Sequence, residues 1–275
     1  MNTIDAKTLK SGHKFWKKSH YLGRMTFKEL VVVYFQYYTI LTYLIISAIM
    51  IGLYLWKPAP LLPTLCTIGL ATFGFPLIWY IIHRWVMHGH WMFKVPIVFF
   101  SKIWKRIHYD HHLDPDHLEV LFGALYTTLP SIALATALPG YLIGGFGGAC
   151  IGYATGLLCT CFYEFCHCVQ HLGYKPRNRT LALMKKRHLE HHFHDEEGNF
   201  GITNFFWDKL FGSYYVRRER PKKSPTVFNL GYTPEMAKKY PWVAQYSGGE
   251  VLCSPKERDR YKSSFDEVDK IQDIR

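Results

Sequence analysis

Apolar residues in this chain gather into long uncharged runs instead of recurring at the spacing of surface helices. Leu30–Trp56, Pro58–Ile82 and Val120–Tyr163 contain no Asp, Glu, Lys or Arg over 27, 25 and 44 residues. A bilayer's hydrocarbon core takes about 20 apolar residues per helix. The first two runs therefore each predict one span. The third predicts two, with a turn at Pro139-Gly140 or within Gly144–Gly148. Core helices of soluble proteins rarely run beyond about 20 residues without a charge, which argues against a soluble bundle.

The polar stretches between these runs fill in the rest. Residues 1–29 read as a cytoplasmic or interfacial arm, with an interfacial helix expected around Phe15–Met25. The first span is expected at about 30–55, and Pro58, Pro60 and Pro63 make the turn into the second. Residues 91–107 mix Trp91, Phe93, Ile97, Phe99, Phe100, Ile103 and Trp104 with Lys94, Lys102, Lys105 and Arg106, the composition of a helix lying in the membrane interface. Leu113–Glu119 is a polar link containing Pro115. Residues 217–275 are Pro- and charge-rich and are expected to wrap the cytoplasmic face. The organisation expected is an arm (1–29), a membrane domain (30–216) and a cytoplasmic tail (217–275). The expected fold is all-α and integral to the membrane. Four transmembrane helices form two hairpins with a cytoplasmic helical cap.

Composition conceals this segregation, because aromatics at 17% and apolar residues at 49% still average to a hydropathy near zero. Charge supplies the orientation. Lys7, Lys10, Lys14, Lys17, Lys18, Arg24 and Lys28 precede the first span, whereas the first inter-span loop holds only Lys57. By the positive-inside rule, both termini and the 83–119 segment face the cytoplasm. The formal charge of +12 lies on that face, in patches such as Lys175–Arg187 and Arg217–Lys223. Beside membrane spans such patches suit anionic headgroups, and a nucleic-acid partner is not expected. Five of seven cysteines fall at Cys150, Cys159, Cys161, Cys166 and Cys168, within or just after a span and without metal-binding spacing, so they read as structural. No cleavable signal peptide is expected.

Candidate chemistry resides in histidine. Four clusters hold ten of the fifteen histidines. They are His83 and His88; His108, His111 and His112; His167 and His171; and His188, His191 and His192. Neutral imidazole offers a nitrogen lone pair near pH 7, and ten imidazoles exceed the needs of one ion, so two metals are implied. Residues three and four apart share a helix face, which places each H-x-x-H-H triplet on one side. His83 and His88 differ by five, a poor fit to one face, so His88 is expected where the helix unwinds. All-imidazole ligation suits zinc, iron, copper or nickel. Glu164 is read as orienting His167 through its other ring nitrogen, and Asp110 and Glu190 either do likewise for neighbouring imidazoles or are simply solvated. A nearly neutral, nitrogen-rich site at the membrane surface suits activation of dioxygen against a C–H bond. Hydrolysis would normally show carboxylate ligands, and a metal transporter would place its ligands near the bilayer midplane.

The order H-x₄-H, H-x₂-H-H, H-x₃-H, H-x₂-H-H resembles the fatty acid hydroxylase/sterol desaturase superfamily of membrane di-iron enzymes, in particular its fatty acid 2-hydroxylase branch. The tail of the fourth cluster, Asn199-Phe200-Gly201-Ile202-Thr203 and Trp207-Asp208-Lys209-Leu210-Phe211-Gly212-Ser213-Tyr214, strengthens the resemblance. The resemblance covers roughly residues 30–216. It implies that the ten clustered histidines ligate two iron ions (with zinc able to substitute in purified samples), and that no catalytic residue exists beyond these ligands. It also implies that O₂ is reduced with two external electrons to hydroxylate a lipid chain. The His-Pro-Gly-Gly signature of a fused haem domain does not occur, so electrons are expected from a separate donor, cytochrome b type or ferredoxin-like, with its reductase. The lipid substrate would come from the bilayer, of the endoplasmic reticulum in a eukaryote or the inner membrane in a bacterium. The first cluster also resembles carotenoid ring hydroxylases, which leaves acyl or sphingolipid chains, sterols and carotenoids as substrate classes.

Overall fold

A computed structural model describes residues 20–260, and all of its regular elements are helical. Chain entry is α1, Phe27–Gln36, started by a reciprocal cap in which Glu29 N–H donates to Thr26 Oγ1 and Thr26 N–H donates to the Glu29 carboxylate. The run expected as one span is two helices, because Tyr37 adopts extended dihedrals and α2 begins afresh at Tyr38–Trp56. Both sides of that break are apolar, so hydropathy alone could not reveal it. Helix α1 folds inward, burying Leu30 and Tyr34 and donating the Tyr34 hydroxyl to the Cys161 carbonyl. The interfacial helix expected around Phe15–Met25 lies largely outside the described residues; within them, Leu22–Arg24 forms one 3₁₀ turn.

After the proline turn, α3 (Leu61–Ile81) returns toward the first histidine cluster. The stretch expected as a single interfacial helix is interrupted at Pro96. Val95 before it is extended, as the proline ring demands, and the chain forms α4 (Trp91–Lys94) and α5 (Val98–Trp104). Their buried sides, Met92, Phe93 and Trp104, join Tyr109, Phe228, Tyr232 and Val243 in one apolar cluster. The segment beyond residue 226 thus packs back onto the elements that carry the histidines. Two short helices follow, α6 (Asp110–Leu113) and α7 (Leu118–Leu121).

The longest uncharged run begins inside α7, forms α8 (Leu125–Ile132) and ends within α9 (Leu138–His171), which doubles back within itself. Gly144 and Gly145 leave helical dihedrals, Gly145 with φ of 60° and ψ of −145°, a conformation nearly confined to glycine. Of the two turn positions expected, the chain uses the second. Around the turn Gly140 lies against Gly148, and Gly152 against Thr136, so closely that a Cβ would collide with the facing backbone. These pairs are equidistant from residue 144, the register of an antiparallel hairpin. Gly147 packs on Lys57–Ala59, which puts both hairpin turns at one end and all four histidine clusters at the other.

Among the described residues, three segments are long and apolar enough to cross a membrane: Tyr38–Trp56, Leu61–Lys94 and the folded Leu125–His171. Leu55, Leu62, Phe73 and Leu142 stand more than two-thirds exposed on their outer surfaces. Such a contiguous apolar exterior has no place in water, and the chain is a membrane protein. Beyond the spans, α10 (Arg179–Phe193) is capped by the Asn178 side chain, α11 (Phe206–Leu210), α12 (Pro234–Lys239) and α13 (Trp242–Tyr246) follow, and residues 255–260 are again helical.

Candidate metal centre

The ten clustered histidines converge in two groups of five. His83, His88, His108, His112 and His191 form one; His111, His167, His171, His188 and His192 form the other. Within each group one ring nitrogen per residue lies within 4.8 Å of all the others. Donors on opposite sides of an ion at about 2.1 Å are separated by about 4.2 Å, so each group is close to the size of one coordination sphere.

Each H-x-x-H-H triplet divides between the two groups. On the turn carrying the second cluster, His108 and His112 (i, i+4) enter one group while His111 turns to the other. In α10, His188 and His192 enter the second group and His191 the first. The first cluster meets its five-residue spacing in two ways. The helix ends at His88, as expected, and its last turn widens. Ile82–Met87 is a π-turn in which His88 N–H donates to the His83 carbonyl, so residues five apart share a face.

Several imidazoles are held from behind. The Nδ1 atoms of His83, His112 and His191 lie 2.6, 2.8 and 2.8 Å from the carbonyl oxygens of Phe200, Val227 and Gly198. A carbonyl only accepts, so each Nδ1 carries the proton and each Nε2 presents a bare lone pair. Yet the Nε2 atoms of His112 and His191 face one another at 3.2 Å. Two lone pairs at that separation repel, and a cation between them turns repulsion into coordination. Burial and the surrounding imidazoles hold His108, His111, His188, His191 and His192 well below the ordinary histidine range, and His112 at about 3. They are neutral donors. The donor set fits metal ions.

The carboxylates sort less simply. Glu164 is buried, with one oxygen 3.9 Å from His167 Nδ1, too long for a hydrogen bond. Asp110 and Glu190, considered as orienting groups or solvated charges, hold Lys105 and Arg187 instead. Asp116, which the sequence did not single out, stands 3.7 Å from His171 Nδ1. Asp208 is fully buried and accepts from Phe200 N–H, Gly201 N–H and the Ser213 hydroxyl, each at 2.8 Å. It thereby folds the loop whose carbonyls hold His83 and His191. The signal for that role was the Asn199–Tyr214 tail motif.

Beside the histidines lies a cavity of about 340 Å³. His83, His108, His111 and His167 form its inner wall, with Trp79, Val86, Phe100 and Ile103 among its apolar lining. Glu164, Thr127, Thr128 and Ser131 supply polar atoms.

A helical membrane protein with two five-histidine groups beside an apolar cavity has the donors to hold metal ions and an apolar space next to them. Comparison with known sequences places it further. The family model for fatty acid hydroxylases matches residues 68–213, more than half of the chain. The chain belongs to the fatty acid hydroxylase family.

Among its relatives, a dihydroceramide fatty acyl 2-hydroxylase of Arabidopsis thaliana is 31% identical over 140 residues, 49% of this chain and 54% of that protein. A ceramide very long chain fatty acid hydroxylase of Saccharomyces cerevisiae is 33% identical over 151 residues, 52% of this chain and 36% of that one. The fatty acid 2-hydroxylase of Mus musculus is 28% identical over 173 residues, covering 59% and 44%. The chain thus spans about half the length of these relatives, or less. A solved structure of full-length scs7p, with only its hydroxylase domain visible, superposes with a TM-score of 0.53 at 25% identity, covering 65% of this chain and 66% of that one.

Proposed function

We propose that this chain is an oxygen-dependent hydroxylase that places a hydroxyl on carbon 2 of a fatty acyl chain, free or within a sphingolipid. The observation that carries the reading is the apolar cavity ending on four of the ten histidines. The names of the relatives supply the substrate class, and they do not favour the carotenoid, sterol or transporter readings.

The two histidine groups would hold two iron ions. Bound iron would supply the redox chemistry: RH, O₂, two electrons and two protons become ROH and water. Everything else falls to the chain's own residues. Trp79, Val86, Phe100 and Ile103 bind the hydrocarbon and keep water from the reacting carbon. Carbon 2 is one bond from the carboxyl or amide carbon, so presenting it to the histidine groups brings the head group alongside them. Glu164, with an oxygen lacking a hydrogen-bond partner beside His167, is the polar group in position to hold it. Electrons come from a separate donor, cytochrome b type or ferredoxin-like, and its reductase.

The topology fits this reading. Two hairpins give four crossings, with the turns at one end on one side and the histidines with both termini on the cytoplasmic side. That membrane would be the endoplasmic reticulum in a eukaryote and the inner membrane in a bacterium. Mass spectrometry of lipids from cells expressing wild type or His111→Ala tests the proposal. Wild type should raise 2-hydroxyacyl lipids and the variant should not; equal content in the two would refute it.

A further inference from the structure

The two histidine groups differ in what stands behind their imidazoles. In the group of His83, His112 and His191, the outer nitrogens meet neutral backbone carbonyls. The Arg84 guanidinium lies 5.8 Å over the ring of Phe200, whose own carbonyl holds His83. In the group of His167 and His171, the outer nitrogen of His171 faces the Asp116 carboxylate at 3.7 Å, while that of His167 has the buried Glu164 carboxyl at 3.9 Å, beyond hydrogen-bond reach. Asp116 is itself positioned: the Tyr21 hydroxyl donates to its other oxygen at 3.2 Å, and Leu22 N–H donates to its backbone carbonyl at 2.7 Å. Lys185 also stands near Asp116, but its ammonium is engaged by the Leu172 carbonyl.

A carboxylate behind an imidazole raises the basicity of the inner nitrogen, and it brings negative charge close to any cation bound there. A carbonyl orients the ring but contributes only a dipole. We propose that the two metal positions are unequal, the group containing His171 binding a divalent cation first and more tightly, and that Asp116 is the positioning residue that makes it so. This rests on the reading that ten histidines hold two ions. The 20–24 segment then has a role of its own, since through Tyr21 it aims a carboxylate at a metal ligand from outside the helical bundle.

The test is metal binding by the full chain in detergent micelles, stripped by chelator and titrated with Zn²⁺ by equilibrium dialysis. Wild type should take up two ions in two resolved steps. His188→Ala should abolish the tighter step and His112→Ala the weaker. Asp116→Asn should weaken the tighter step about 10–100-fold, leaving the weaker step and the saturating count of two unchanged. Asp116→Glu should restore part of the loss. The unchanged weaker step reports that the variant has folded. Should Asp116→Asn fail to fold, Tyr21→Phe should weaken the same step by a smaller factor. Two ions of equal affinity in wild type, or an Asp116→Asn effect spread over both steps, would overturn the proposal alone. A saturating count below two would overturn the two-ion reading and the proposal with it.

Discussion

Replacing Asp208 by asparagine keeps the size and shape of a fully buried side chain and removes one acceptor. In the native protein Oδ1 receives Phe200 N–H and the Ser213 hydroxyl, while Oδ2 receives Gly201 N–H. Asparagine can keep its oxygen toward the first pair, but its amide NH₂ then points at Gly201 N–H, donor against donor. A hydrogen bond to a charged acceptor contributes about 1.5–3 kcal/mol, and an unsatisfied buried N–H costs about 1–3 kcal/mol. Because these overlap, the expected destabilisation is about 2–4 kcal/mol. For a domain of this size it is a fall of roughly 5–15 °C in Tm. Loosening the 198–201 loop also releases the carbonyls that hold His191 and His83. Both belong to one metal group, so ion binding there should weaken about 10–100-fold while the other group is spared. Scanning fluorimetry of the stripped protein gives the first number and metal titration the second. An Asp208→Asn protein with native Tm, or one that loses both ions equally, would refute the reasoning.

Other expectations follow from the same structure. His112 falls from the ordinary 6.5 to about 3 on burial, so the unfolded chain binds its proton more readily than the native one. Stability of the metal-free protein should therefore decline as pH drops below 6.5 and continue declining toward 3, by about 2 kcal/mol for His112 alone at pH 5; denaturant titrations at pH 7 and 5 check this. Gly148→Ala should drive a Cβ into the Gly140 backbone and destabilise the second hairpin by about 3 kcal/mol, the upper end of overpacking costs, seen as a lower unfolding midpoint. Val86→Phe should narrow the cavity and lower kcat/KM for an acyl substrate at least tenfold, with metal content unchanged, as lipid and metal assays would show.

Much of the site was legible beforehand because its chemistry is local. Imidazoles three to five residues apart declare themselves without a fold. Uncharged runs declare spans, since charge in hydrocarbon is costly whatever the neighbours. Conformation within apolar sequence was not legible. The break at Tyr37 and the choice of Gly144–Gly145 over Pro139-Gly140 depend on what each helix packs against, and residues on both sides look equally hydrophobic. Asp116 was invisible for a related reason. It sits in a short polar link, and only its placement 3.7 Å from a histidine 55 positions further along distinguishes it from any solvated carboxylate.

By itself the sequence determined which side chains could meet metal and lipid: ten nitrogen donors and three long uncharged runs. Tertiary structure decided how the ten divide. His108, His111 and His112 share a helix face in any drawing of the sequence, yet His111 faces one group and its neighbours the other. It also decided which loops hold their rings and which carboxylates stand behind them. Ligand identity is a property of single residues, whereas assignment to an ion depends on directions in space that are fixed only when distant segments pack.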